Sequence, residues 1–126
     1  MTSTKRRMLL LSLVVPAFIS LTSGNVVAQE FMTQEELLAT FPGSTIRAKS
    51  DNGKSWFQVY STGKKKGTIT GEFDGTPITS KWYVKGDQWC ENWGDGKACW
   101  DVERVDEKSL RIYENGKPRK HLWKLD

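Results

Sequence analysis

The sequence predicts an all-β fold: a small antiparallel up-and-down β-barrel of about eight strands with a short N-terminal helix. Two observations lead there. Turn signals recur at short intervals, among them Asn52-Gly53, Asp74-Gly75 and Asn115-Gly116, and runs rich in Thr, Val, Ile and aromatic residues lie between them. Asn-Gly and Asp-Gly are the strongest short hairpin signals. No helical stretch of about ten residues separates any two of these runs, so parallel crossovers are excluded and neighbours pair antiparallel. A meander of this length exposes two edges unless it closes, and a closed barrel removes them. An open twisted sheet or a sandwich is the alternative.

Residues 1–28 read as a signal peptide. Lys5-Arg6-Arg7 precede an apolar run from Met8 to Val15, which resumes after Pro16, and the segment ends in Val26-Val27-Ala28. Basic, apolar and small residues in that order mark a secretory leader, cleaved near Ala28. Its opening leaves the general secretory and twin-arginine routes both open. The apolar run is shorter than the roughly 20 residues that span a bilayer. The expectation is an exported protein of the periplasm or beyond, with no integral membrane segment. The leader holds three of the 19 basic residues and none of the 15 acidic ones, leaving 98 residues with a formal charge of +1. Such a balance lacks the basic footprint of a nucleic-acid binder.

Residues 29–43 form a helical segment. Thr33 with Glu36 makes a capping box, Leu37, Leu38 and Phe41 share one stripe, and Pro42-Gly43 ends the helix. So short a helix is expected to plug one end of something larger. The barrel domain occupies 44–126, with strands near 44–49, 55–61, 67–73, 77–85, 88–93, 97–105, 109–114 and 119–125. Alternation places Ile46 with Ala48, Phe57 with Val59, Ile69 with Phe73, Trp82 with Val84, and Leu110 with Ile112 on inward faces, Gly71 permitting a bend.

Cys90 and Cys99 are the only cysteines, and an even count in an exported small chain reads as a disulfide. A two-residue turn at Gly94-Asp95 sets 93 opposite 96, 90 opposite 99 and 89 opposite 100. Trp89, Glu91, Ala98, Trp100 and Val102 then share one face, and the cysteines lie on the other. A loop of ten residues stabilises by about 2.7 kcal/mol in the chain-entropy account.

Catalytic constellations are missing from the sequence. His121, the only histidine, reads as a half-exposed strand residue, and no Gly-x-Ser-x-Gly elbow is present. No metal-ligand spacing and no phosphate-loop or dinucleotide motif occurs, so neither metal nor cofactor is expected. Asp101, Glu103, Asp106 and Glu107 read as the solvated end of a hairpin. Glu91 is the one carboxylate on the tryptophan face. It is read as solvated near the barrel mouth, the alternative being burial beside Arg104 with a raised pKa. Lys64-Lys65-Lys66 form a basic run, either a solubilising hairpin tip or a contact for an anionic surface. All six tryptophans lie beyond the leader. Trp82, Trp89 and Trp100 are expected inside, with Trp56 and Trp93 the most exposed, at the rim. Together with Glu91 these five are the candidate ligand-binding residues, against the alternative that the rings only pack the core.

The segments Gly53-Lys54-Ser55-Trp56-Phe57-Gln58-Val59-Tyr60, Gly71-Glu72-Phe73, Trp82-Tyr83-Val84-Lys85-Gly86-Asp87-Gln88-Trp89-Cys90 and Ala98-Cys99-Trp100 resemble a family of small exported proteins, mainly alphaproteobacterial, of unknown function. The final turn, Asn115-Gly116-Lys117, departs mildly from that family's Asp-Gly-Lys type. The resemblance spans about residues 41–116 and implies an envelope location and no catalytic residue. In architecture the chain also resembles small lipocalin and avidin barrels. The expectation is a monomeric, non-catalytic binding module for a small apolar or aromatic ligand or an envelope component. The alternative is a protein-interaction or inhibitor module acting through the disulfide-braced hairpin 89–100.

Overall fold

The computed structural model describes residues 30–126; the expected leader, residues 1–28, lies outside the described residues. Helix α1 (Gln34–Thr40) comes first. Strands β1 (Thr45–Lys49), β2 (Ser55–Tyr60), β3 (Lys66–Phe73), β4 (Thr76–Lys85), β5 (Gln88–Asn92), β6 (Lys97–Asp106), β7 (Ser109–Glu114), β8 (Lys117–Pro118) and β9 (Trp123–Leu125) follow. Consecutive strands pair antiparallel from β1 to β8, and β9 pairs with both β1 and β7, which closes a barrel of eight strands. β8 is a two-residue extension on β7 outside the ring.

The expected last strand over 119–125 is a correction. Only Trp123–Leu125 is strand, and residues 119–122 depart from the wall. Arg119 donates its backbone N–H to Ile112, after which the chain has no ladder partner until Trp123 meets Leu110.

The turns carry the chemistry their sequences require. Asp74-Gly75 and Asn115-Gly116 take positive φ at both central positions, between 50° and 83°, as two-residue type I′ hairpins demand. The expected central register holds: Trp89 faces Trp100, Cys90 faces Cys99, and Trp93 donates to the Gly96 carbonyl at 2.9 Å. The cysteines are bonded, with Cα atoms 4.0 Å apart.

The expected inward faces hold except in β2, although Phe73 of β3, expected inward with Ile69, is 37% exposed at the rim of a cavity. Ile46, Ile69, Trp82, Trp89, Val102, Leu110 and Ile112 are fully buried. In β2 the expected pair Phe57 and Val59 points outward, and Trp56, Gln58 and Tyr60 face in. Tyr60 offers far more contact area than Val59, and its hydroxyl satisfies the polar Gln58 beside it. Phe57 is covered instead by the Arg47 guanidinium, 5.0 Å from its ring centre.

One end of the barrel is solidly packed. The capping box of α1 is formed on both sides, and the helix brings Leu37 and Phe41 onto the core. Gln34 ties it to the β4–β5 turn through Gly86 and Asp87. Phe41 stacks on Trp89 at 4.1 Å and Trp89 on Trp82 at 4.9 Å, while Tyr60 meets Trp89 edge-on. Such pairs contribute about 0.5–1.5 kcal/mol each beyond area burial.

Gly71 lies where β3 crosses close over β2. A Cβ there would stand 2.0 Å from the Phe57 carbonyl oxygen, a backbone atom that moves only if the sheet does. Gly71→Ala should therefore lose about 1–3 kcal/mol of stability. Gly96→Ala, at a site with nothing within 4 Å, should be close to neutral; urea denaturation of both variants checks this.

Candidate functional site

The end of the barrel opposite α1 is hollow. A cavity of about 710 Å³ opens there to solvent. β2 contributes Trp56 and Gln58, β5 contributes Glu91 with Trp93 just beyond it, and β6 contributes Trp100. Each of these strands thus runs from the packed end to the hollow one. Tyr60, Trp89 and Val102 fill the first, and Trp56, Trp93 and Trp100 surround the second. Trp123 of β9, with Arg119 and His121 from the irregular 119–122 segment, completes the lining of the cavity. Trp56 meets Trp123 edge-on at 5.0 Å, and Trp100 meets Trp123 at 5.7 Å.

Glu91 sits on the boundary between the two ends and is 1% exposed. The expectation of a solvated carboxylate is overturned. Two indoles serve it: Trp89 donates Nε1–H to Oε2 and Trp93 to Oε1, each at 3.1 Å. Tyr60 donates to Gln58 Oε1 at 2.5 Å, and its hydroxyl lies 3.4 Å from Glu91 Oε2. Burial pushes the Glu91 carboxyl up to about 7; the indole and phenol hydrogen bonds and the charge of Arg119 oppose that rise without cancelling it. The same burial, reinforced by Glu91, raises the Tyr60 phenol. Arg104 is not the nearby cation. It is bound to Thr40 and to the carbonyls of Asp106 and Glu107.

Arg119 comes from the segment that was expected to be strand. Its guanidinium lies over the Trp100 ring, 5.6 Å from the centre, and Nη2 pairs with Glu114 at 3.0 Å. Two donors at the cavity are buried without a hydrogen-bond partner among the described residues: Trp100 Nε1 and Arg119 Nε. His121, also expected on a strand, is part of this irregular segment and lines the cavity, half-buried.

The sequence-derived site residues divide between the two ends. Trp56, Glu91, Trp93 and Trp100 border the cavity, whereas Trp82 and Trp89 belong to the packed end. Trp82 gives its Nε1–H to the Ser61 carbonyl. Trp56 and Trp93 are half-buried rather than exposed. Gln58, Arg119, His121 and Trp123 were missed as site residues. Gln58 was placed on the outer face by the β2 register, and the others lay in a tail with no clean alternation. Lys64, Lys65 and Lys66 are exposed in the region that follows Tyr60, at the helix-covered end and away from the cavity.

Among the described residues no group of His, Cys, Asp and Glu could hold a metal ion, and no helix is long and apolar enough to cross a membrane. No family model matches the chain, and neither a curated protein nor a solved structure matches it. The geometry alone carries the functional reading.

The raised Glu91 pKa links stability to pH. Between the ordinary value of 4.5 and about 7, the folded state keeps a proton that the unfolded state has released. Glu91's contribution is therefore fully present below pH 4.5 and is lost as pH rises through 7, by about 3 kcal/mol in total. Glu91→Gln removes that dependence. Urea denaturation from pH 4 to 8 should show the wild-type advantage over E91Q shrinking by that amount.

Proposed function

We propose that this is a non-catalytic, exported periplasmic protein that holds a small, largely apolar or aromatic molecule in the open end of its barrel. One observation carries the reading: the interior is filled at one end and hollow at the other, and the hollow is walled by four tryptophans. A barrel whose rings served only as core would pack both ends, because barrels of about eight strands enclose space that side chains can fill. About 710 Å³ lies within the range of small-ligand sites, about 300–1,000 Å³. Apolar walls with a few polar groups at the floor are the usual composition of such sites. Export is supported by the basic-apolar-small order of residues 1–28 and by the disulfide, which persists in oxidising compartments.

The alternative of a partner-binding hairpin at 89–100 loses its anchor. Trp93, the aromatic residue expected at the exposed tip, turns inward to Glu91. The tip itself, residues 94–97, presents Gly, Asp, Gly and Lys.

Native mass spectrometry of the protein isolated from its own periplasm tests the proposal. The expected result is a chain carrying extra mass of a few hundred daltons (order of magnitude from the cavity size), released on gentle activation. A bare chain whose tryptophan emission also ignores small aromatic titrants would overturn it.

A further inference from the structure

A molecule in this cavity meets one polar side chain that the fold leaves half-satisfied, Gln58. It is 6% exposed, faces into the barrel from β2 and lines the hollow, so what stays accessible on its side chain opens into the cavity. Only one end of its amide is held. Tyr60 donates to Oε1 at 2.5 Å, whereas Nε2 has no hydrogen-bond partner among the described residues. Trp100 Nε1 and Arg119 Nε also lack partners, but both are fully covered and do not reach the hollow. Gln58 Nε2 is unpartnered and uncovered. Burial and the neighbouring Glu91 raise the Tyr60 phenol, so it keeps the proton that fixes this amide with its N–H groups turned away from the tyrosine. Leaving a donor unmade in a largely buried place costs more than a hydrogen bond normally gains.

We propose that the cavity takes an aromatic or apolar molecule with a neutral carbonyl (a ketone, ester or lactone), whose oxygen accepts from Gln58 Nε2 while its body lies between Trp56, Trp93 and Trp123. This rests on the small-ligand reading above and adds the polar group. The floor offers a donor and keeps its acceptors occupied. Oε1 of Gln58 holds the Tyr60 proton, and the two oxygens of Glu91 hold the indoles of Trp89 and Trp93. A hydroxyl, amine or primary amide would bring a proton that finds no free acceptor there, whereas a ketone or ester brings acceptors alone. Charge is not what the site selects. Lys49, Lys54 and Arg119 are matched around the cavity by Asp51, Asp74 and Glu91, with Lys54 paired to Asp74 and Arg119 to Glu114. A carboxylate at Gln58 would also stand near Glu91, whose Oε2 is 3.4 Å from the same tyrosine hydroxyl that holds Gln58. Two carboxylates so placed disfavour each other's ionised form.

The experiment uses three probes of one shape: 2-acetylnaphthalene, 1-(2-naphthyl)ethanol and naphthalene-2-carboxylate. Each is titrated calorimetrically into the purified protein at about pH 8, where Glu91 is mostly ionised. The ketone should bind at least about threefold tighter than the alcohol and at least about tenfold tighter than the carboxylate. Gln58→Met keeps an unbranched side chain of similar length and removes the amide, and Tyr60 then has Glu91 Oε2 within 3.4 Å as its acceptor. The variant should weaken the ketone at least about fivefold and erase its preference over the alcohol. A thermal melt shows whether it is folded. A second measurement needs no variant: the infrared C=O stretch of carbonyl-labelled ketone bound to the wild type should lie below its value in cyclohexane, as a hydrogen-bonded carbonyl requires. Alcohol or carboxylate binding as tight as the ketone overturns the carbonyl assignment and leaves the small-ligand reading standing. So does an unshifted stretch, or ketone affinity unchanged in the folded variant. Binding by none of the three overturns both.

Discussion

Everything in this barrel depends on a closure made by three residues. Trp123–Leu125 bridges strands that are far apart in sequence, Lys124 facing Arg47 on one side and Trp123 facing Leu110 on the other. So short a strand offers few ladder bonds, and side chains reinforce it. Arg47 pairs with Asp126 at 3.0 Å, Lys108 reaches the Asp126 carbonyl, and Lys124 donates to Ser109. Exposed ion pairs contribute little singly. The greater anchor is Trp123 itself, 5% exposed and in edge contact with Phe41, Trp56 and Trp100. One ring thus touches the helix, the cavity wall and the far side of the barrel. Without it the sheet would present two free edges and no interior.

The shortness of that strand also produces the cavity wall. Had residues 119–125 formed one continuous strand, Arg119 and His121 would have been fixed at ladder positions. Instead the chain leaves β8 at Pro118, and four residues cross the mouth before Trp123 rejoins the sheet. The departure places a guanidinium over Trp100 and a histidine at the opening. Proline lacks a backbone N–H and suits such an exit from a ladder. Closure and site are consequences of the same segment.

Much of the architecture was legible because local rules agree here. Three Asn-Gly or Asp-Gly turns, the Gly94-Asp95 turn and the Thr33–Glu36 capping box each specify geometry within a few residues. The structure realises the hairpins at 74–75, 94–95 and 115–116 as read. β2 was misread because both its faces carry large apolar residues, so period-2 alternation could not choose between Phe57–Val59 and Trp56–Tyr60. Packing chose, through Tyr60 against Phe41 and Trp89. Glu91 was assigned to the right face and the wrong solvent. Nothing local shows that two indoles, one of them beyond the strand end, would converge on a single carboxylate.

That convergence separates a packed end from a hollow one. A carboxyl at mid-barrel is costly to desolvate, and the cost falls only if its oxygens find donors. Trp89 from below and Trp93 from above supply them, each holding a different oxygen. Either indole would otherwise need another acceptor, as Trp82 finds at Ser61. Holding Trp93 to Glu91 also turns its ring away from the hairpin tip and into the wall. The polar layer of Gln58, Tyr60 and Glu91 is therefore the floor on which the cavity stands, and Gly71, opposite Gln58 in the ladder, lets β3 lie close against β2 there. A larger residue there would meet the Phe57 carbonyl. The close approach of these two strands beside the floor thus depends on one missing Cβ.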